Sequence, residues 1–281
     1  MIENLINLRP MVYNKMKSLS VLLSLILIVT NCQDKPKPTS IVLETKTNIE
    51  IKTKPQKSKL LKDTLNITTD FVLGKFDYKS DSTFTRVGSK YSAKEIYINN
   101  IVYSAFLKMS EAAKKDSIDF KILSGTRNFY EQKAIWERKW NLNSNLNPID
   151  RAKKILEYSS MPSTSRHHWG TDIDLNSLNN SYFNTGKGLK TYQWLQSHAN
   201  SFGFYQVYTN KNNGRTGYNE EKWHWSFVPL ASKYLEFYNS NIKTEDISEF
   251  EGSHLAKDLR IIEDYVNGIP TEVKKYKQHT P

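Results

Sequence analysis

Two stretches decide how this chain is read: Ser165-Arg166-His167-His168-Trp169-Gly170-Thr171-Asp172-Ile173-Asp174, and Glu221-Lys222-Trp223-His224-Trp225. Histidine and carboxylate are the metal-ligand types left to a chain with a single cysteine, Cys32, which also excludes an internal disulfide. In the first stretch a turn at Gly170 separates His167 from two aspartates on a following short strand. Such a chain reversal can bring two side chains to one ion. Asp172 and Asp174 are two apart and share one face of a regular strand, so both stand as candidate ligands. In the second stretch, strand alternation puts His224 and Lys222 on one face and Trp223 and Trp225 on the other. The aromatics would then bury the back of a site that His224 faces.

Working outward, the patterning is mixed. Apolar residues from Ile98 to Ala113 recur at helical spacing, which predicts a helix over Tyr97 to Lys115. Ile118 to Leu123 alternates as a strand and stops at Ser124-Gly125. Phe129 to Trp140 and Pro148 to Tyr158 read as helices, and Leu189 to Phe202 as another, closed by Gly203. Short strands are expected over Ile173 to Leu175, Phe204 to Tyr208 and Lys222 to Phe227, the last ended by Pro229. A final helix is expected around Leu255 to Val266. There is no internal repeat. This order predicts an α+β domain over residues 69–240, a small antiparallel sheet with helices packed around it and the metal site on the sheet, followed by a helical extension over 241–281.

The N-terminal part reads differently. Lys15 and Lys17 precede an apolar run from Leu19 to Val29, too short to span a bilayer as a helix and laid out like a signal peptide. Met11 or Met16 would open a more ordinary signal than Met1. The run ends Val29-Thr30-Asn31-Cys32, which resembles a bacterial lipoprotein cleavage box, with Asn31 in place of the usual small residue. The reading is a signal peptide over 1–31, lipidation at Cys32, and a flexible basic tether over 32–68. Of the formal net charge of +11, residues Gln33 to Lys62 carry a net +5 from eight lysines against Asp34, Glu44 and Glu50. Basic residues without interleaved aromatics argue for a solvated tether at an anionic surface and against a nucleic-acid groove. The expected location is the bacterial cell envelope, with the chain held to the membrane by its lipid and monomeric.

With these residues in view, the chain resembles the zinc D-alanyl-D-alanine carboxypeptidases of the VanY type, whose fold is shared with the zinc domain of hedgehog proteins. Their hallmark, S-x-H-x-x-G-x-A-x-D followed by E-x-W-H, is met here by Ser165, His167, Gly170 and Asp174, then Glu221, Trp223 and His224. Upstream, Ser124-Gly125-Thr126-Arg127 and Gln132 are similar to the family's S-G-Y-R-S-x-x-x-Q. Trp194-Leu195 and Gly203-Phe204 match a helix and a strand between them. Asp172 departs from the family's small residue, His168 from a frequent Gln, and Val207 from a frequent Arg.

The resemblance implies one zinc ion per chain on His167, Asp174 and His224, with a fourth position open to water. It implies Glu221 as general base, and Arg127 as a stabiliser of the oxyanion formed on the scissile carbonyl. Gln132 and Ser165 are the candidates for holding the substrate's terminal carboxylate. Asp172 is read either as an extra carboxylate at the metal or as a hydrogen-bond partner of a ligand histidine, and His168 as a pocket-lining residue. The implied substrate is a peptidoglycan stem peptide losing its terminal D-Ala, with a D,D- or an L,D-specificity. The competing readings are an endopeptidase, and a binding lipoprotein that keeps the zinc fold without catalysis. Glu221 argues against the second, because a purely structural metal needs no base. An adhesin or assembly factor using the basic stretch is the third class, and nothing in the sequence requires it.

Overall fold

The computed structural model describes residues 66–276. The expected signal segment, Cys32 and all but residues 66–68 of the tether lie outside the described residues, as does His279. Among the described residues no helix is long and apolar enough to cross a membrane.

A one-turn helix α1 (Thr69–Val72) is capped by Thr68, whose Oγ1 accepts from the Phe71 amide at 3.1 Å. Strands β1 (Phe84–Arg86) and β2 (Tyr97–Asn99) pair antiparallel. Helix α2 (Asn100–Lys115) follows β2 without a loop. The helical stripe read from Tyr97 therefore begins three residues late. Asn99 is the reason: its side chain accepts from the Ile101 amide at 2.9 Å, an N-cap that ends the strand and starts the helix.

Strand β3 (Ile122–Ser124) is shorter than its alternation suggests. Ile118 and Phe120 are buried and Asp119 and Lys121 exposed, as a strand requires, but the ladder begins only at Ile122. Helix α3 (Phe129–Leu142) opens on a reciprocal cap between Asn128 and Glu131, and α4 (Pro148–Leu156) on an Asn147 cap with proline in its first turn. A 3₁₀ turn (Arg166–Trp169) leads into β4 (Asp172–Leu175). Helix α5 (Gly186–His198) runs into a 3₁₀ turn (Ala199–Phe202) and the left-handed Gly203, after which come β5 (Phe204–Gln206) and β6 (His224–Phe227).

Pro229 does not end a strand before a loop. It sits in the first turn of α6 (Val228–Asn241), where a missing N–H costs nothing because that turn's amides have no intrahelical partner. The continuous helix expected over Leu255–Val266 is instead a 3₁₀ turn (Ser253–Leu255) and a π-helical turn (Ile261–Val266). They are separated by Arg260 in the left-handed region, φ 50°. A short α7 (Thr271–Lys274) closes the described chain.

The four-stranded sheet has the order β3-β4-β6-β5, all antiparallel. Asp172 faces Ser226, Ile173 faces Trp225 and Asp174 faces His224 across β4 and β6. Alternation then divides the pair. Ile173, Leu175, Trp225 and Phe227 enter one continuous core with Phe106 and Met109 of α2 and Leu195 of α5. Asp172, Asp174, His224 and Ser226 point the other way and are buried as well. The 3₁₀ turn before β4 is pinned by Trp169, whose Nε1 donates to the Val72 carbonyl at 3.0 Å and whose ring packs against Tyr234 and Tyr238 of α6. The C-terminal segment covers α3, where Trp136 Nε1 donates to the Glu251 carbonyl at 2.8 Å and Phe250 meets the Trp136 ring edge-on.

Candidate metal centre

The polar face of the β4–β6 pair becomes a site because one turn is added to it. Gly170 has φ 67°, and a Cβ there would strike the ring of Phe84. Only glycine lets the chain leave the 3₁₀ turn, pass Phe84 and enter β4. That reversal carries His167 over the strand pair. His167 Nε2 then lies 3.5 Å from Asp174 Oδ2, and His224 Nδ1 lies 3.2 Å from Asp174 Oδ1. The two imidazoles meet edge to face, centroids 4.9 Å apart.

Each histidine is fixed from behind. His167 Nδ1 is 2.8 Å from the Gly125 carbonyl, so it donates and Nε2 keeps its lone pair for the site. Gly125 can come so close to β2 because a Cβ would run into Ile96, Ile98 and the Tyr97 carbonyl. His224 Nε2 lies 2.8 Å from Asp172 Oδ2, so it donates to the carboxylate and Nδ1 faces the site.

Asp172 stands outside the His167–Asp174–His224 group. Oδ2 accepts from His224 and from Arg166 Nε at 3.0 Å, while Oδ1 accepts from Thr171 Oγ1 at 2.7 Å and Ser226 Oγ at 2.8 Å. Asp172 meets His224 at Nε2, the nitrogen that does not face Asp174. Burial alone would raise this carboxyl, but the Arg166 guanidinium and the His224 hydrogen bond hold it well below the usual range. The two strand-mates thus divide the work. Asp174 joins the ligand cluster, and Asp172 orients His224 from behind.

The donor set fits a divalent metal. One ligand atom from each of His167, Asp174 and His224 lies within 4.8 Å of the others, and all three residues are buried. Ligands about 2.0–2.1 Å from a tetrahedral ion stand roughly 3.3 Å apart, close to the two spacings observed. Both histidine tautomers present a lone pair, and Asp174 Oδ1 is buried without a hydrogen-bond partner among the described residues. Such an atom is costly unless an ion or a donor meets it.

Glu221 stands beside the cluster, its Oε2 3.4 Å from His224 Nδ1. Burial raises its carboxyl above the usual value, opposed by the neighbouring His224 and Arg127. The site opens into a cleft of about 760 Å³ whose lining includes Arg127, Ile135, Arg138, Lys139, Tyr158 and Trp223. Arg127 is held by its backbone: its amide donates to the His167 carbonyl at 3.2 Å, and its carbonyl accepts from His168 Nδ1 at 2.6 Å. Its Nε is buried without a partner among the described residues.

Three sequence expectations move. Gln132 does not line the cleft; it lies on the buried face of α3, with Nε2 donating to the Ser160 carbonyl at 2.7 Å. Ser165 is buried too, its Oγ accepting from the His167 amide at 3.3 Å, which caps the 3₁₀ turn that carries His167. His168 is no pocket-lining residue. It bridges the Arg127 carbonyl and the Ser163 amide, and burial pushes its imidazole down to about 3, so it stays neutral. The aromatic placement changes as well, because β6 starts only at His224. Trp225 faces the core, whereas Trp223 lines the cleft near Tyr158.

Sequence reading missed Tyr208, whose ring lies 4.5 Å from that of His224, and the cleft-lining face of α3. That face had a signal: Ile135, Arg138 and Lys139 continue the helical stripe that passes through Gln132.

Residues 95–230 match the family model for VanY, D-alanyl-D-alanine carboxypeptidase, a span that holds all the motifs read above. The chain is 29% identical over 147 residues to the putative carboxypeptidase YodJ of Bacillus subtilis, covering 50% of each protein. It is 28% identical over 138 residues to a D-alanyl-D-alanine carboxypeptidase of Enterococcus faecalis, covering 48% of this chain and 50% of that one. It therefore spans about half the length of the curated relatives it matches. A crystal structure of a mutant vancomycin resistance D,D-pentapeptidase VanY in complex with Zn(II) is 20% identical, with a TM-score of 0.44 over 61% of this chain and 92% of that one. The resemblance to VanY-type carboxypeptidases read from the motifs is borne out.

Proposed function

We propose that this protein is a zinc-dependent carboxypeptidase that removes the terminal D-Ala from peptidoglycan stem peptides, acting at the cell envelope from a lipid anchor at Cys32. The observation that carries the reading is Glu221, a buried carboxylate beside the His167–Asp174–His224 cluster at the floor of an open cleft. A metal held only for structure would need no such neighbour.

His167, Asp174 and His224 would hold one zinc ion, which when bound supplies Lewis acidity for polarising a carbonyl and acidifying a water. Glu221 is positioned to take a proton from the attacking water and to return it to the leaving amine. Arg127 brings a fixed positive charge to the same cleft, where it can stabilise an oxyanion as it forms. His168 and the His167 carbonyl hold the Arg127 backbone and so aim that charge.

The test is direct. The protein loaded with zinc is incubated with muropeptides bearing tetra- and pentapeptide stems, and products are read by mass spectrometry. Loss of one terminal Ala, absent in Glu221→Ala, is expected, and the stem that is cut assigns D,D- or L,D-specificity. Intact stems from a protein that binds one zinc per chain would instead favour the cell-wall-binding reading, and internal cleavage the endopeptidase. Fatty-acid labelling abolished by Cys32→Ala tests the anchor.

A further inference from the structure

The cleft carries more positive charge than one terminal carboxylate requires. Lys94, Arg127, Arg138 and Lys139 all line it. Among the described residues none of their four side chains makes an ion pair or a hydrogen bond. Lys133 on the same α3 behaves differently: its Nζ donates to the Glu249 carbonyl at 2.6 Å and pairs with Glu137 at 3.6 Å. Both patterns follow from helix geometry. Ile135, Arg138 and Lys139 lie three or four residues apart and share the face turned to the cleft, while Lys133 and Glu137 lie on another.

The four cations are also crowded. Burial lowers the Lys139 ammonium, and Arg127 and Arg138 lower it further, with Glu221 alone opposing them. The two buried carboxylates of the cleft, Asp174 and Glu221, do not balance four cations, and Asp174 belongs to the ligand cluster. A cleft lined by like charges concentrates anions and binds them with relief of that repulsion.

We propose that Arg138 and Lys139, with Lys94, form a subsite for a second carboxylate, so that the ligand class is a peptide with an acidic residue upstream of the bond that is cut. This rests on the peptide-substrate reading of the cleft and specifies its substrate. Arg127, beside His167, stays with the reacting end. Arg138 and Lys139 line the cleft from a different element, α3, about two helical turns beyond Gln132.

The experiment separates this from catalysis. Binding is measured by calorimetry on the zinc-loaded Glu221→Ala protein, which holds substrate without turning it over. The probes are a synthetic pentapeptide ending in D-Ala-D-Ala with a free internal side-chain carboxylate and the same peptide with that group as a carboxamide. The carboxylate form should bind on the order of tenfold more tightly. That advantage should vanish when Arg138→Gln and Lys139→Gln are added, while the carboxamide form binds both proteins alike. Thermal melting checks that the variants fold. Equal affinity for the two peptides, or an advantage that survives the double substitution, overturns the proposal. Preferential binding of a single-stranded oligonucleotide over the peptide would also overturn it. Hydrolysis by the unmodified protein is scored separately. Charge-selective binding without turnover defeats the carboxypeptidase reading and leaves the subsite, and turnover without selectivity does the reverse.

Discussion

Asp172→Ala is the substitution that best tests how the metal centre is built. Asp172 gives His224 its orientation through one charge-assisted hydrogen bond of 2.8 Å to Nε2. Bonds of this kind contribute about 1.5–3 kcal/mol, and each 1.4 kcal/mol is tenfold in affinity. Losing it should therefore weaken zinc binding by roughly 10- to 100-fold, the usual effect of removing a carboxylate behind a ligand histidine. Asp174→Ala, which deletes a ligand, should weaken it much more. The ranking is what discriminates, because both aspartates are buried on one strand face and either could be a ligand by sequence.

The same substitution has a second cost. Arg166 is buried, and Asp172 is its only acidic partner within ion-pair distance among the described residues, at 3.0 Å, although its Nη2 also donates to Ser226 Oγ at 2.7 Å. Breaking such a pair from one side typically costs about 3–5 kcal/mol of stability. Asp172→Asn keeps the shape and removes the charge, so it should retain more of the fold. Zinc affinity is read by competition with a chromophoric chelator, and stability by urea denaturation of the metal-free proteins. An unchanged zinc affinity in Asp172→Ala, or a loss as large as that of Asp174→Ala, would refute the assignment of Asp172 to a supporting role.

Other expectations follow from the same contacts. Chelation of the metal should lower Tm by on the order of 8–16 °C, since a ligand at a thousandfold its Kd contributes about 4 kcal/mol, while the near-ultraviolet dichroism of the tryptophans persists at 25 °C. Gly170→Ala forces a side chain into a left-handed turn against Phe84. It should cost at least about 2 kcal/mol, seen as a fall in Tm of roughly 4–8 °C, with zinc affinity reduced because His167 shifts. Gln132→Ala removes a buried hydrogen bond to Ser160 and should destabilise by about 1–3 kcal/mol. Its KM should change less than about threefold, and a larger KM effect at unchanged stability would return Gln132 to the cleft.

What the sequence could disclose follows from how far each feature depends on neighbours in the chain. His167, Asp174, His224 and Glu221 were legible through the motifs that carry the family resemblance, which also favour Asp174 over Asp172. Strand alternation alone does not separate the two aspartates, since the contacts that do come from Arg166 and Ser226, the latter 54 residues downstream in sequence. Gln132 and Ser165 were assigned to substrate because their side chains can bind a carboxylate. The fold uses that same hydrogen-bonding capacity on its own backbone, at Ser160 and at the His167 amide. Helix α6 follows from the sequence when Pro229 is read as a start signal, because proline is favoured in a first helical turn as well as after a strand.

The register of β4 against β6 links stability to chemistry. A slip of one residue would turn Asp174 and His224 into the core and Ile173 and Trp225 into the cleft. What forbids the slip is burial of Ile173, Leu175, Trp225 and Phe227, a driving force that does not involve the metal ligands. On the opposite face the same strand pair brings together Asp172, Asp174, His224 and Ser226, whose burial is tolerable only because Arg166 and Thr171 complete the network. The core therefore sets the positions of Asp174 and His224 before any ion arrives. The polar network then fixes which nitrogen of His224 faces the site. Within the cluster Asp174 Oδ1 stays without a hydrogen-bond partner, and it is the atom an ion would satisfy.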